Sequence, residues 1–543
     1  MSMSSAFNFG GSWETTTPPT SKARFPYPAP NSDFQLAKAQ ADTANSPFWR
    51  LYNKYYDLTD YLDKHPGGRQ WLEYTRGTDC TEAFEAHHLD FSKVERILKI
   101  YYVKDAEDGG YAEDIGLQAE NISTEEKDDN YAQPVTGETI KEETRKENGI
   151  ARGRALLPPS QSLSEKKAKG EESKKLKSSR TFLYDEKSFY PELRRRVVKV
   201  LLSKTGASTV MEATGPTTSM KAACAIVISQ FLIVHYMAAR TGSKVLSSLA
   251  GLLLVGCWGV GHNFMHQSDM QCSYWRCGID LTPFSSEYQR MTHALSHHIY
   301  TNLHTDWECY NSDDLLAFLP GIGKNVNAAV RKSYPFLLSL AGIESIVQKF
   351  SMFARLVKEK GFNGLTLGEK ALMLPMAQII NYVRFNGVKK GAKLFFIQMG
   401  VFMMYFVPAG LSVHHSLREE VDSKGNSVPD SWHAGMPGEQ HRFGEHQVVA
   451  TSDHTVWLNN GSFLGNYLSL VLFAFLNDHT AHHLFPSVDH SKHSLYRDVM
   501  LNTFKEYGIP YSSNNFLTLF RGFHRFVQQR TVSELSKDIS TIG

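Results

Sequence analysis

Eight histidines in three short boxes carry the chemistry that this sequence can do. His262 and His266 form H-x3-H, His293, His297 and His298 form H-x3-HH, and His479, His482 and His483 form H-x2-HH. The pairs His262/His266, His293/His297 and His479/His483 are each four apart, which on an α-helix puts both side chains on one face, a turn apart. Two imidazoles so placed can grip one metal ion, and eight can hold two ions with coordination positions left open. Imidazole suits Fe, Zn, Cu and Ni, so the ligand type alone does not choose the metal. The first and third boxes directly follow apolar runs, and ionisable groups beside a membrane span are costly and read as functional by default.

The elements that must position these boxes are apolar. Runs at 220–239, 244–261, 368–384 and 393–411 approach the roughly 20 residues that a membrane span needs. A shorter run, 463–476, reads as a partial or interfacial helix. Only residues 240–243 join the first two runs, so they form a hairpin, and 368–411 forms a second. With that parity all three boxes emerge on one side, the cytosolic one. The basic stretch ending Arg194, Arg195, Arg196 suits that side, although Arg240, Lys244, Arg384, Lys389 and Lys390 near the opposite turns obey the positive-inside rule only weakly. Six cysteines, at 80, 224, 257, 272, 277 and 309, show no paired framework, in keeping with a reducing compartment. A formal net charge of +2 provides no bulk attraction to nucleic acid.

Upstream, residues 47–104 read as a compact unit. The stretch 56–62 reads as a strand ending in a short helix and leads into His65, Pro66, Gly67 and Gly68. Proline fixes one backbone angle there and the glycines permit φ > 0, so the turn can present His65 rigidly at a pocket mouth. Asp79 is placed to cap a helix through Phe84 that ends at His87 and His88. Val94, Ile97, Leu98 and Ile100 supply apolar packing. Residues 105–180 are dense in Glu, Lys, Asp and Ser and bury too little apolar surface to order themselves. A flexible tether of that length has an r.m.s. span of about 50 Å, enough for the upstream unit to reach both an outside donor and the membrane half. Residues 1–46 form a polar leader without a charged-then-apolar signal peptide.

The three boxes, with Thr301 and Asn302 after the second and Leu484, Phe485 and Pro486 after the third, resemble those of membrane fatty acid desaturases over roughly 185–520. The resemblance implies two non-haem iron ions held by His262, His266, His293, His297, His298, His479, His482 and His483. It also implies an additional ligand upstream of the third box. Among His414, His415, His433, His441, His446 and His454, the candidate is His454. His304 reads as a loop or outer-layer residue. Asp306, Glu308 and Asp478 could orient ligand imidazoles by accepting their second N–H. Residues 47–104 resemble cytochrome b5 in the HPGG turn and in the Asp79-x-Thr81-x-x-Phe84 pattern. That implies haem b between His65 and a second histidine, His88 by its spacing from Phe84, with His87 as the alternative. A haem with both axial sites filled is suited to electron transfer. The whole chain is similar to the insect group called cytochrome b5-related proteins. Front-end desaturases, which also begin with a b5 domain, typically have Gln where His479 opens the third box, so their regiochemistry does not transfer.

The expected fold is therefore a small α+β cytochrome b5-like domain followed by an all-α multi-span membrane desaturase domain, 181–543. An unactivated C–H bond has no acidic proton and no leaving group, so it yields only to oxidation by O2 and two electrons at a metal. The expected reaction is O2-dependent insertion of a double bond into a fatty acyl chain carried as an acyl lipid or acyl-CoA. No Gly-x-Gly-x-x-Gly is present, so the electrons are expected from a separate NADH-cytochrome b5 reductase. The resemblance implies the endoplasmic reticulum membrane, with haem domain and iron site on the cytosolic side. The alternatives are a fatty acyl or sphingoid hydroxylase, and a membrane-bound b5 electron carrier with an inactive desaturase half.

Overall fold

Trp49 anchors the N-terminal unit: it is fully buried and packs with Leu51, Tyr56, Leu58, Leu62 and Phe84. The computed structural model describes residues 47–106, 181–184, 187–267, 274–303, 306, 308, 333–415, 417–421, 427–429, 441–455, 458 and 461–529. The leader expected over 1–46, nearly all of the linker expected over 105–180, and His304 and His433 lie outside them. Strands β1 (Trp49–Leu51), β2 (Lys54–Tyr56) and β3 (Tyr102–Asp105) form an antiparallel sheet in the order β1-β2-β3. As expected, the chain passes from β2 into a short helical turn, Thr59–Lys64. Helices α1 (Arg69–Thr75), α2 (Thr81–His87) and α3 (Phe91–Ile100) complete the unit. Gly68, at φ 104°, makes the backbone conformation that the HPGG turn requires before α1. Asp79 sits just ahead of α2 and its carboxylate accepts from the Thr81 backbone N–H at 3.0 Å and hydroxyl at 2.6 Å.

The membrane half is helical. Helix α4 (Phe189–Thr205) leads to α5 (Thr218–Thr241) and α6 (Lys244–Met265), which turn back on each other at Gly242, with Ser243 Oγ accepting from Leu246 N–H. After α7 (Tyr334–Lys360) comes α8 (Leu374–Ser412), interrupted at Gly387, where φ is 73° and ψ is 168°. An L-residue with a Cβ is strained in that conformation, and glycine is not. The two halves of α8 fold back side by side: Tyr382 donates to Gln398 Oε1 at 2.9 Å, and Gln398 Nε2 donates to Gln378 Oε1 at 2.7 Å. Among the described residues, three helical stretches are long and apolar enough to cross a membrane, Thr218–Thr241, Lys244–Met265 and the 46-residue Leu367–Ser412 that contains the Gly387 reversal. Helix α9 (Phe463–Phe473) is apolar but only 11 residues long, and packs on α5 and α6. It ends at Ala474 and Phe475, both with positive φ, which redirect the chain into α10 (His479–Leu484). Helices α11 (His493–Tyr507) and α12 (Phe516–Gln529) follow. One apolar cluster runs through α5, α6, α8 and α9, and the histidine boxes lie at its end.

Candidate di-metal centre and haem site

Each box sits where a helix finishes or is distorted. His262 is in the last turn of α6, and His266 caps that helix. His293 and His297 lie on a π-helical segment, Arg290–His297, that runs into a single α-turn, His298–Tyr300. Such π segments are rare and frequent at functional sites. His479, His482 and His483 fill the short α10. All eight are buried, and so is His414, two residues beyond the end of α8.

The nine imidazoles fall into two groups. His262, His266, His293, His298 and His482 offer ligand nitrogens within 4.8 Å of one another, and His297, His414, His479 and His483 do the same. In the first group His262 Nε2 lies 2.8 Å from His293 Nε2 and 3.1 Å from His482 Nε2, and His298 Nε2 lies 3.0 Å from His293 Nε2. In the second, His414 Nε2 lies 3.1 Å from His297 Nε2 and 2.7 Å from His479 Nε2, which is 3.1 Å from His483 Nε2.

With both rings neutral, His297 and His414 cannot hydrogen-bond to each other through Nε2. His297 donates its Nδ1–H to Asp306 Oδ2 at 2.8 Å, and His414 donates its own to the Ala450 carbonyl at 3.0 Å, because a carboxylate and a carbonyl can only accept. In the neutral rings both Nε2 atoms carry lone pairs, and they face each other. A cation between them resolves that repulsion. Two metal–imidazole bonds of about 2.1 Å at right angles span about 3 Å, the separation found here. His293 likewise donates Nδ1–H to Glu308 Oε2 at 2.8 Å, leaving its Nε2 lone pair toward His262. Burial pushes His266, His298, His414, His479, His482 and His483 well below the usual imidazole range, with neighbouring imidazoles adding to the effect, so they present neutral lone pairs. At His297 burial opposes charge too, but the Asp306 carboxylate outweighs it and raises its pKa. The residues present thus fit two metal ions.

The structure does not bring His454 to either group. Its ring packs between Phe473 and Phe516, at 5.4 and 5.3 Å, and burial lowers its pKa to about 4. His414 stands in the place expected of His454. It directly follows an apolar run, as the first and third boxes do, and that was the signal available in the sequence. His446 donates instead to the Thr301 carbonyl at 2.8 Å. Of the three carboxylates expected to orient imidazoles, Asp306 and Glu308 do so, while Asp478 is buried at the start of α10. His490, which carried no signal in the sequence, stacks on His482 at 4.8 Å and donates Nδ1–H to Asn263 Oδ1 at 2.9 Å.

In the N-terminal unit, His65 donates Nδ1–H to the Gly68 carbonyl and His88 to the Phe84 carbonyl, each at 3.0 Å. Their ring centroids are 6.2 Å apart, which accommodates an iron bonded at about 2 Å to each ring. Phe84 stacks on His88 at 4.5 Å, and burial followed by the nearby His65 lowers the pKa of His88 to about 3. His87 turns instead toward Trp71.

Two families match this chain. Residues 35–107 match the cytochrome b5-like haem/steroid-binding domain, and residues 243–515, just over half of the chain, match fatty acid desaturases. The chain belongs to the fatty acid desaturase family. The cytochrome b5-related protein of Drosophila melanogaster is 24% identical over 481 residues, covering 87% of this chain and 86% of that protein. The cytochrome b5-related protein of Drosophila virilis is 48% identical over 73 residues, covering 13% of this chain and 50% of that one. An acyl-lipid omega-13 desaturase of Chlamydomonas reinhardtii is 39% identical over 56 residues, 10% of this chain and 12% of the other. This desaturase-family chain is thus a cytochrome b5 domain fused to a helical membrane domain, an oxidoreductase acting on lipids. Its b5 domain implies haem and its family implies di-iron, in agreement with the two histidine groups.

Proposed function

We propose that this protein is an O2-dependent di-iron desaturase that removes two hydrogens from a fatty acyl chain, using electrons passed through its own b5 haem. The observation that carries the reading is the convergence of nine buried imidazoles, from four separate parts of the chain, into two ligand groups. His65 and His88 would hold the haem. His262, His266, His293, His298 and His482 would hold one iron, and His297, His414, His479 and His483 the other. When bound, the irons supply the O2-derived oxidising power that an unactivated C–H bond demands, and the haem supplies single electrons. Asp306 and Glu308 hold His297 and His293 in the tautomer that directs Nε2 inward. Trp258 stacks on His262 at 4.5 Å, and Phe406 packs tilted against Trp258 at 4.3 Å, an aromatic wall on one side of the centre. The outside donor in this reading is an NADH-cytochrome b5 reductase, and the setting is the cytosolic face of the endoplasmic reticulum membrane.

Lipid analysis by mass spectrometry tests the reaction in yeast expressing either this chain or its His482→Ala/His483→Ala variant. A new unsaturated acyl species made only by the unaltered chain is expected. A hydroxylated product in its place would refute desaturation, and no new product from a chain holding two non-haem irons per haem would refute the enzyme.

A further inference from the structure

The haem domain holds both ends of the segment that carries the second histidine box. At its start, Arg290 is fully buried, donates to Gln70 Oε1 and lies with its guanidinium 4.8 Å from the Trp71 ring. Gln70 Nε2 donates in turn to Glu287 Oε2 at 3.2 Å, and Glu287, also fully buried, pairs with Arg276 at 3.1 Å. Gln70 thus stands between a buried cation and a buried carboxylate of the membrane half and gives each a partner, which buried charges require. At the far end the Tyr300 hydroxyl donates to Glu82 of α2. Glu82 also accepts from the backbone N–H groups of Thr181 at 2.6 Å and Phe182 at 3.2 Å. One turn on, Glu85 pairs with Arg194 at 3.0 Å, both side chains less than a tenth exposed.

Apolar packing follows the same plan. Tyr74 of α1 shares a buried cluster with Met291, Leu356 and Leu372, and Leu295 packs against it. Ala86 and Leu89, which flank His87 and His88, share another with Ile299 and Tyr300. Between these two contacts lie the π-helical residues Arg290–His297 and the turn His298–Tyr300. A π-helix is rare, so contacts outside the segment must favour it over the ordinary α register. The register matters here, because His293 and His298 serve one metal group and His297 the other. Ligands work only when an outer layer holds them to within about 0.5 Å.

Resting on the reading above, we propose that the haem domain is also a clamp on the second histidine box. Gln70 and Glu82 are positioning residues that act through Arg290 and Tyr300, and together they hold the π register that divides three ligands between two groups. The haem domain then has a duty besides carrying electrons: docking and metal binding are coupled. Linkage makes the coupling reciprocal, so docking strengthens iron binding by the same factor as iron strengthens docking.

The test uses the full chain in detergent, loaded with haem and iron and dialysed against graded chelator. Gln70→Leu is expected to lose non-haem iron at about tenfold lower chelator concentration than the unaltered chain, the lower end of the roughly 10–100-fold that loss of an outer partner costs. Both groups should empty together, because each draws a ligand from the clamped segment. The low-spin haem spectrum should stay as in the unaltered chain, while the Mössbauer spectrum of the non-haem iron still bound should broaden. Tyr300→Phe, which releases the other end and keeps the ring, should do the same; it is read alone if Gln70→Leu disturbs the haem. The reciprocal effect needs no substitution. Stripping the non-haem iron from the unaltered chain should raise hydrogen exchange in α1 and α2 with the haem retained. Iron retention equal to that of the unaltered chain in both variants overturns the proposal, as does loss of one iron well before the other. Exchange in α1 and α2 that is indifferent to iron overturns it as well. Failure of the unaltered chain to bind non-haem iron would instead overturn the functional reading on which the proposal rests.

Discussion

Asp306→Asn separates the two metal groups. Asp306 is fully buried, and its carboxylate serves at least three donors: Oδ2 accepts from His297 Nδ1–H and from Asn302 N–H, both at 2.8 Å, and Oδ1 accepts from Glu308 N–H at 3.1 Å. An amide has one acceptor oxygen and one NH2. Whichever way it sits, one side places donor against donor, and His297 loses a charged partner. Hydrogen bonds to charged groups contribute about 1.5–3 kcal/mol. Loss of a carboxylate that orients a ligand imidazole weakens metal binding about 10–100-fold, or about 1.4–2.8 kcal/mol, and the two routes agree. The loss should fall on the group of His297, His414, His479 and His483, because His297 belongs to it and the other group keeps Glu308 on His293. Purified protein dialysed against graded chelator, with iron and haem measured by elemental analysis and absorbance, reads this directly. Half of the non-haem iron should leave the variant at chelator concentrations that the unaltered chain withstands, with the haem band unchanged. Equal retention in the two proteins would refute the orienting role of Asp306. Simultaneous loss of both irons would refute the division into two groups.

Glu308→Gln should give the mirror result, with iron lost first from the group containing His293. His414→Ala should lower non-haem iron to one per haem and abolish product formation, whereas His454→Ala should leave the iron content unchanged, as elemental analysis of both variants will show. Arg194→Met leaves Glu85 buried without its ion-pair partner, with the Tyr52 hydroxyl still donating to it, at a cost of up to about 3–5 kcal/mol, so the haem domain should become more accessible to limited proteolysis. Acid should destabilise the metal-free and haem-free protein. His88, His415, His454 and His493 have folded-state values of about 3, 3, 4 and 4, below the ordinary 6.5. Their contribution is complete above pH 6.5 and is lost as the pH falls toward 4, by up to about 1.4 kcal/mol per pH unit for each. A thermal melting series from pH 7.5 to 5 should therefore show a falling midpoint, and a flat series would contradict the burial of these rings.

Much of this was readable along the chain. The HPGG turn and the helix after Asp79 encode local geometry in consecutive residues, so their placement follows from backbone chemistry alone. The apolar runs announce membrane-length helices for the same reason. The Gly387 reversal fell inside the 368–411 region read as a hairpin, and glycine is what permits it. The choice of His454 over His414 failed because spacing along the chain does not measure distance in space. His414 is 65 residues from His479, yet its Nε2 lies 2.7 Å away.

The chemistry was thus written in residue types: neutral nitrogen donors beside apolar helices leave few uses besides metal binding. Their allotment was not. Helical spacing pairs His293 with His297, but the π-helical segment carries His293 into one group with His298 and sends His297 into the other. On α10, His482 goes to the first group and its neighbour His483 to the second. A ligand nitrogen is committed by where several helices converge and by which carboxylate or carbonyl takes its other N–H. Both conditions come from residues remote in sequence, so they exist only once the helices have packed.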